Sequence, residues 1–557
     1  MNIPIHDFVT RYRDLRPARF HMPGHKGRGP LGCEEWDLTE IPGADSLYEA
    51  EGIIAESEAN ASRLFGCPTF YSTEGSSHCI RAMLMLASEF CHSERSEESV
   101  SSAACDAADG GCGFLTAFGM TKSKRFRVLA ARNVHKAFLT AAALLDLEVR
   151  WLPTVDGSYL SAHPTPEALA AALEETEADA VYLTCPDYLG FLPDLRPLAE
   201  ICHAHGALLL VDNAHGAYLR FLRPSRHPMD LGADLCCDSA HKTLPVLTGG
   251  AYLHVKGTGN REQGTGDERD GCLAPLGMTV KEGRTVRDAL ALFGSTSPSY
   301  LILQSLDLAN PYLERLPEKL AAFLPRAEAM KAHLRAAGWN VVGDEPLKLT
   351  ISCHSQQCEE SVPSVAGMDE RTGPSAPLCA AQDDRLAASH LPVGTSIACP
   401  PSGLALAAAL EKRGVCCEFA DPDYIVFMLS PEHSEAELAR LERELQNAKC
   451  KMQNDACRDG TLPSAKSPAR PRTSNARPCN IPEAVCSIRQ AMLGPAEWIP
   501  AEESLGRVLA RPCVSCPPAV PILMPGERID RAALEAFARY GIRRLAVLPQ
   551  ANPGTEK

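Results

Sequence analysis

No stretch of 18 or more consecutive apolar residues occurs in the sequence, so a membrane-spanning helix is not expected. Met1 to Phe20 has neither the charged start nor the apolar centre of a secretory signal; the expected address is the cytoplasm. Basic charge is in deficit: 55 Lys and Arg against 70 Asp and Glu leave a formal charge of −15. Nucleic-acid binders rely on clustered Lys and Arg, so that class is set aside. An acidic field mildly favours cationic small molecules. A second CxxC pair is also missing. Cys513-Val514-Ser515-Cys516 stands alone, and no metal is expected.

Cysteine, by contrast, is plentiful, with 23 residues. In a long chain without a secretory signal these read as free thiols, not as a disulfide framework. The 557 residues, 45% of them hydrophobic, are enough for two or three domains with substantial cores.

Apolar strand-like runs alternate with helical patterns through the first half, the mark of an α/β domain with a largely parallel sheet. Residues 127–131, 180–184, 207–212 and 251–255 read as strands, and 166–177 and 194–205 as helices opening near a proline or an acidic cap. Residues 316–337 read as a long amphipathic helix leading into a smaller domain, where 424–429 is a strand and 434–447 a helix. Four segments break the pattern: 91–123, 257–283, 354–400 and 448–480. Two of them share a phrase, Phe118-Gly119-Met120-Thr121-Lys122 and Leu276-Gly277-Met278-Thr279-Val280, and together the four hold ten of the 23 cysteines. They read as inserted sequence expected to form surface loops or disorder, because such composition buries too little apolar area to offset chain entropy.

Chemistry concentrates around Lys242, in Ser239-Ala240-His241-Lys242-Thr243-Leu244. A lysine beside a histidine sits on many protein surfaces, so the neighbourhood decides. Asp212 ends the apolar strand and opens Asp212-Asn213-Ala214-His215-Gly216. A carboxylate at the C-terminal end of a buried parallel strand lies where open α/β sheets bind ligands. An Asp followed thirty residues later by a Lys suits pyridoxal phosphate (PLP): the carboxylate keeps the pyridine nitrogen protonated, and the lysine condenses with the aldehyde. The cofactor also needs a phosphate cup. Ser72-Thr73-Glu74-Gly75-Ser76-Ser77 precedes an apolar helix at 78–88, and a Gly/Ser turn opening a helix offers free amides and the positive dipole end. Most such turns only cap a helix; order along the chain gives this one weight. His135, just after the 127–131 strand, is placed to stack on the pyridine or simply to sit in a loop.

The sequence resembles the ornithine/lysine/arginine decarboxylase family of PLP enzymes, in its short form without an N-terminal wing domain. The resemblance is carried by Arg19 to Gly27 (RFHMPGHKG), Asp37 to Gly43 (DLTEIPG), Arg132 to Lys136 (RNVHK), Val211 to Gly216, Ser239 to Pro245, Gly294 to Tyr300 (GSTSPSY) and Pro518 to Arg528. It spans nearly the whole chain outside the four inserts. It implies a fold type I, aspartate aminotransferase-like α/β major domain with a mostly parallel sheet, a smaller α+β domain and a C-terminal domain. The implied boundaries are an N-terminal segment 1–30, a PLP-binding domain 31–310 containing 91–123 and 257–283, a small domain 311–447 containing 354–400, a linker 448–480 and a C-terminal domain 481–557.

The resemblance also implies roles. Lys242 carries PLP, Asp212 pairs with the pyridine nitrogen, and Ala214 and His215 lie beside the ring, with His135 on its other face. Gly75, Ser76, Ser77, Ser239 and His241 would contact the phosphate. Ser295 and Thr296 would reach the neighbouring subunit's site, making a homodimer the minimum assembly and leaving higher homo-oligomers open. The implied reaction is decarboxylation of arginine, lysine or ornithine, a step of polyamine metabolism, and the substrate's distal cation needs an acidic partner, with Asp45, Glu418 and Asp421 as candidates. His21 and His25 receive no role. Three positions depart from the family: Asn213 where a carboxylate is common, Ala240 where Thr is common, and Glu74 before the cup glycine. Two other readings use the same residues: a different PLP enzyme on this fold, such as an aminotransferase or a carbon–sulfur lyase, or a non-catalytic relative with a binding role.

Overall fold

The computed structural model describes residues 1–103, 125–152, 158–257, 280–353, 402–458, 481–513 and 519–550. A seven-stranded sheet dominates it, with strands β1 (Thr69–Ser72), β2 (Arg127–Ala130), β3 (Glu148–Trp151), β4 (Ala180–Thr184), β5 (Leu208–Asp212), β6 (Leu235–Asp238) and β7 (Ala251–Val255). Their spatial order is β1-β7-β6-β5-β4-β2-β3. The β6-β5-β4-β2-β3 run is parallel, and β7 pairs antiparallel with both β6 and the edge strand β1. Both faces are covered, so alternate residues of β5 enter different cores: Leu209 and Val211 one, Leu210 the other. Each such leucine, fully buried, contributes about 1.5–3 kcal/mol relative to exposure. In register, Thr184, Asp212 and Cys237 line up at the C-terminal ends of β4, β5 and β6. That edge is where a side chain leaves the sheet for the loops above it.

A second sheet packs as β10-β11-β9-β8, all antiparallel, from β8 (Asn340–Val342), β9 (Lys348–Ser352), β10 (Phe419–Ala420) and β11 (Tyr424–Met428). Near the C-terminus, β12 (Glu497–Pro500) and β13 (Arg544–Val547) form a two-stranded antiparallel ribbon beside the helix Arg531–Arg539.

The expected strands and helices lie where the apolar periodicity put them, within a residue or two at most ends. Two kinds of difference stand out. The long helix spans Tyr300–Ala336, beginning sixteen residues before the expected start at 316 and carrying Pro311, Pro317 and Pro325 inside it. Ser299 caps its first turn by accepting the Ile302 amide. Helices also run into three segments expected as loops: Ser76–Ala103 into 91–123, Val280–Ala291 out of 257–283, and Glu435–Arg458 into 448–480. Extending an existing helix needs no new nucleus, and the Ser/Glu/Arg run after Cys91 is compatible with continued helix. The remainder of those segments, the shared FGMTK-like phrase and Cys516 lie outside the described residues. Among the described residues, no helix is long and apolar enough to cross a membrane.

Candidate active site

The strand ends and the loops following β1, β2, β4 and β6 close around one cavity. Ser76, Asn133, His135, Asp212, His215 and Lys242 all line it, with Thr184, Pro186, Tyr188, Ala214 and Val520 completing the wall. Its open space, counted out into the mouth, is about 430 Å³.

Lys242 sits in a single helical turn, Ala240–Thr243, directly after β6. Its Nζ lies 3.1 Å from His215 Nε2. Burial pushes the amine's pKa down, with the Asp212 carboxylate opposing that shift. A lysine held this way has a larger share of neutral, nucleophilic amine at neutral pH. Asp212 is buried on the cavity floor: its Oδ1 accepts the Ala214 amide at 3.2 Å and its Oδ2 accepts from Tyr182 Oη at 3.3 Å. Burial raises its pKa and the Lys242 charge opposes that rise. The two groups are complementary charges in a poorly solvated site, the environment in which functional pKa shifts gather.

His135 caps the helix Lys136–Leu144, its Nδ1 accepting the Ala137 amide at 3.1 Å. That bond fixes the ring and leaves Nε2 as the protonated nitrogen. Burial, then the Lys242 charge, brings its pKa down to about 3, so the ring is neutral at physiological pH. His215 is likewise kept neutral by burial and by Lys242; it stands edge-on to Tyr188, ring centroids 5.3 Å apart.

The glycine/serine turn adopts a left-handed Gly75 (φ +75°) before the helix beginning at Ser76. The Gly75 amide is already committed, donating to the Gly249 carbonyl at 2.7 Å. The hydroxyls of Ser239 and Ser76 are 2.7 Å apart, both buried, beside Ser77 in the first helical turn. His241 Nδ1 bonds the Gly250 carbonyl at 3.0 Å, and its Cε1 would lie 3.9 Å from a side chain added at Gly75. Glu74 points elsewhere: its Oε1 accepts the Ser295 amide at 2.5 Å. The Glu74 carboxylate thus anchors the Ser295 loop. Ser295 and Thr296 are exposed and do not line this cavity.

Asn213 reaches across to the end of the neighbouring strand β6. Asn213 Nδ2 donates to Asp238 Oδ1 at 2.6 Å, and Asp238 Oδ2 accepts from His227 and His254 Nε2 at 3.1 and 3.0 Å. All three of these acid and imidazole groups are fully buried. His227 Nδ1 accepts the Met229 amide, so Nε2 carries the ring proton in its neutral form and is not available to a metal.

The three candidate partners for a distal cation fare differently. Asp45 accepts the Gly52 and Ile54 amides at 2.8 and 3.0 Å, capping the helix Ile53–Phe65. Asp421 is buried and accepts the Asp423 and Tyr424 amides. Glu418 is exposed, accepts a hydrogen bond from Tyr188 Oη at 3.2 Å, and is among the charges felt at Lys242.

Several cavity residues carry no signal in the sequence by themselves: Thr184, Tyr188, Val520 and above all Asn133. Asn133 is 1% exposed, and neither its Oδ1 nor its Nδ2 has a hydrogen-bond partner among the described residues. Nor does the buried His215 Nδ1. Buried polar atoms are rarely left so; around a cavity holding a lysine, a carboxylate and a helix N-terminus, they fit a polar, anionic ligand of PLP's kind.

The chain matches the family described as Orn/Lys/Arg decarboxylase, major domain, over residues 116–437, and that family's C-terminal domain over 478–556. It is 25% identical to an arginine decarboxylase of Halalkalibacterium halodurans, covering 99% of this chain and 95% of that one. An arginine decarboxylase of Bacillus subtilis is 24% identical over 94% of this chain and 91% of its own length. Among solved structures, the lysine decarboxylase LdcF of Francisella novicida aligns with a TM-score of 0.66 at 16% identity, covering 98% and 81% of the two chains. At that identity the likeness establishes the fold, and it agrees with the expected mostly parallel α/β architecture.

Proposed function

The chain belongs to the Orn/Lys/Arg decarboxylase family, and from that premise we propose that it decarboxylates a free basic amino acid, arginine first, in the cavity around Lys242. It is a decarboxylase, and its cofactor is pyridoxal phosphate. The observation that carries the reading is that Lys242 and Asp212 line one cavity with Asn133 and His215, whose buried polar atoms lack partners among the described residues. The relatives named arginine decarboxylases favour arginine over lysine or ornithine.

When bound, PLP supplies a conjugated, electron-withdrawing ring that takes up the electron pair left behind as carbon dioxide departs. The chain's residues divide the remaining work. Lys242 Nζ would hold the cofactor through its aldehyde carbon. Asp212, which accepts from Tyr182 and the Ala214 amide, keeps a proton on the ring nitrogen. Ser76, Ser77, Ser239 and His241, around the Gly75 turn, receive the phosphate at a helix N-terminus. His135, its ring fixed by the cap, would lie against the cofactor, as would Ala214 and His215, which line the same cavity. Pro186, Tyr188 and Val520 exclude water from the reacting carbon. Lys242 Nζ and His215 Nε2 are the groups that hold and return the proton replacing the lost carboxylate. Glu418, at the mouth beside Tyr188, receives the distal cation.

The segments 31–310, 311–447 and 481–557 serve as the PLP-binding, small and C-terminal domains. The unit is a homodimer in which Ser295 and Thr296 reach the partner's cavity; the loop's exposure supports this, as does Phe20, 94% exposed in the single chain. The described cysteines are free thiols, as suits a reducing cytoplasm, where the amine product would enter polyamine metabolism. The test is to load the purified chain with PLP and follow carbon dioxide release from arginine, lysine and ornithine beside amino transfer to a keto acid. Carbon dioxide with stoichiometric amine supports the reading; amino transfer alone, or no carbon dioxide from any of the three, contradicts it.

A further inference from the structure

The cavity wall is completed by a part of the chain almost 400 residues away from the loop it touches. Arg132, the residue before Asn133, makes a two-pronged ion pair with Glu527: Nη1 to Oε1 at 2.6 Å and Nη2 to Oε2 at 2.8 Å. Both side chains are buried. The guanidinium also lies 5.4 Å from the Trp151 ring centroid. Glu527 is itself fixed, its Oε2 accepting the Met524 amide at 2.9 Å. A second tether runs from the Lys136 amide to the Ala519 carbonyl, 2.9 Å, and Ala519 holds a left-handed φ of +57°, a conformation non-glycine residues rarely adopt without support from surrounding structure. Val520, the next residue, lines the cavity. Residues 132–136, which carry Asn133 and His135, are thus gripped at both ends by the segment 519–527.

We propose that Glu527 is a positioning residue of the active site, acting through Arg132 to aim the Asn133 amide and the His135 ring into the cavity, and that Asn133 binds the cofactor or substrate directly. A buried ion pair is poor evidence of stability, since well-packed apolar residues often replace one at no loss. What a planar, two-pronged pair does supply is fixed geometry. The geometry here is delivered next to Asn133, whose side chain has both polar ends unpartnered among the described residues, and at the residue whose ring is held as a helix cap. A site needs its groups held to within a fraction of an ångström, and such support commonly comes from residues that never touch the ligand.

The inference rests on the decarboxylase reading, and the test separates the two. PLP is titrated into the full chain and its dissociation constant read from the visible absorption band, with the thermal midpoint and kcat and KM measured on the same preparations. The variants are Arg132→Met with Glu527→Leu together, Glu527→Gln, Asn133→Ala, and Asn133→Ala added to the double change. The expected result is a chain that still melts cooperatively but binds PLP at least tenfold more weakly, or loses kcat at least tenfold, in both the double variant and Asn133→Ala. Adding Asn133→Ala to the double variant should cost little more, because both changes remove the same contact. Wild-type PLP affinity and kcat in a folded double variant overturn the proposal, and so do losses that multiply. Should the double variant not fold, Asn133→Ala and Glu527→Gln carry the test, and unchanged affinity and kcat in both overturn it. A wild-type chain that binds PLP yet releases no carbon dioxide defeats the decarboxylase reading while the affinity comparison stands; one that binds no PLP defeats both.

Discussion

Glu418→Gln should separate recognition of the substrate's cation from the chemistry at its carboxylate. Glu418 Oε1 accepts from Tyr188 Oη at 3.2 Å. A glutamine can keep the Tyr188 bond through its carbonyl and so preserves the cavity wall, while removing the charge. Because Glu418 is exposed, the lost interaction lies between a surface ion pair, up to about 1 kcal/mol, and a hydrogen bond to a charged group, about 1.5–3 kcal/mol. An intermediate value of about 1–1.5 kcal/mol corresponds to a roughly 5- to 12-fold fall in kcat/KM, given about 1.4 kcal/mol per tenfold. The loss should fall on KM more than on kcat, since the contact is made equally before and during bond breaking. It should also shrink as salt rises, because exposed charges are screened within about 10 Å at 0.1 M ionic strength. Steady-state decarboxylation of the preferred substrate and of an uncharged analogue of equal length, at two salt concentrations, reads all of this. An equal loss on the uncharged analogue, or no loss on the cation, refutes the assignment.

Asp45→Ala should leave decarboxylation kinetics intact and lower stability by about 1 kcal/mol in urea unfolding, since this carboxylate caps a helix; a rise in KM for the basic substrate would restore it as a recognition residue. Asp238→Ala should cost about 3–5 kcal/mol, because two buried imidazoles lose their acceptor, and a loss under 1 kcal/mol would mean that the cluster is not coupled. The same cluster should narrow the stable pH range from both sides. Burial raises the Asp238 carboxyl but the two histidines hold it below the usual carboxylate range, so its contribution is present above about pH 4 and lost as pH falls through that depressed value. Burial lowers His254 but Asp238 raises it further, so its contribution is complete below about pH 6.5 and lost as pH rises through the raised value. Unfolding midpoints from about pH 2 to 9 check both signs, and a flat profile contradicts them.

Lys242 and Asp212 were legible in the sequence because their types are informative where they fall: a carboxylate ending an apolar strand, then a lysine after small residues. The sheet was legible for a related reason, since strands buried on both faces read as apolar runs. Asn133 could not be singled out, because an asparagine after a strand is ordinary until its amide is seen buried with no partner among the described residues. Arg132 and Glu527 lie 395 positions apart, and nothing local in either marks the other. Asp45 is ambiguous by its type: an acid seven residues before Gly52 can serve a substrate or a helix start, and its hydrogen bonds go to the helix start. The early start of the Tyr300–Ala336 helix was masked by its prolines, which usually mark an end, and the helical extension beyond Cys91 by polar composition that continues a helix it would not start.

The central claim is that Lys242 carries the cofactor, and borohydride reduction tests it most directly. Reducing the PLP-loaded chain locks the lysine–cofactor bond, and peptide mapping by mass spectrometry then locates the label. The account predicts a single phosphopyridoxyl group on the peptide containing Lys242, and none on a Lys242→Ala chain treated identically. Label on another lysine, or no label on a chain that binds PLP, would contradict it.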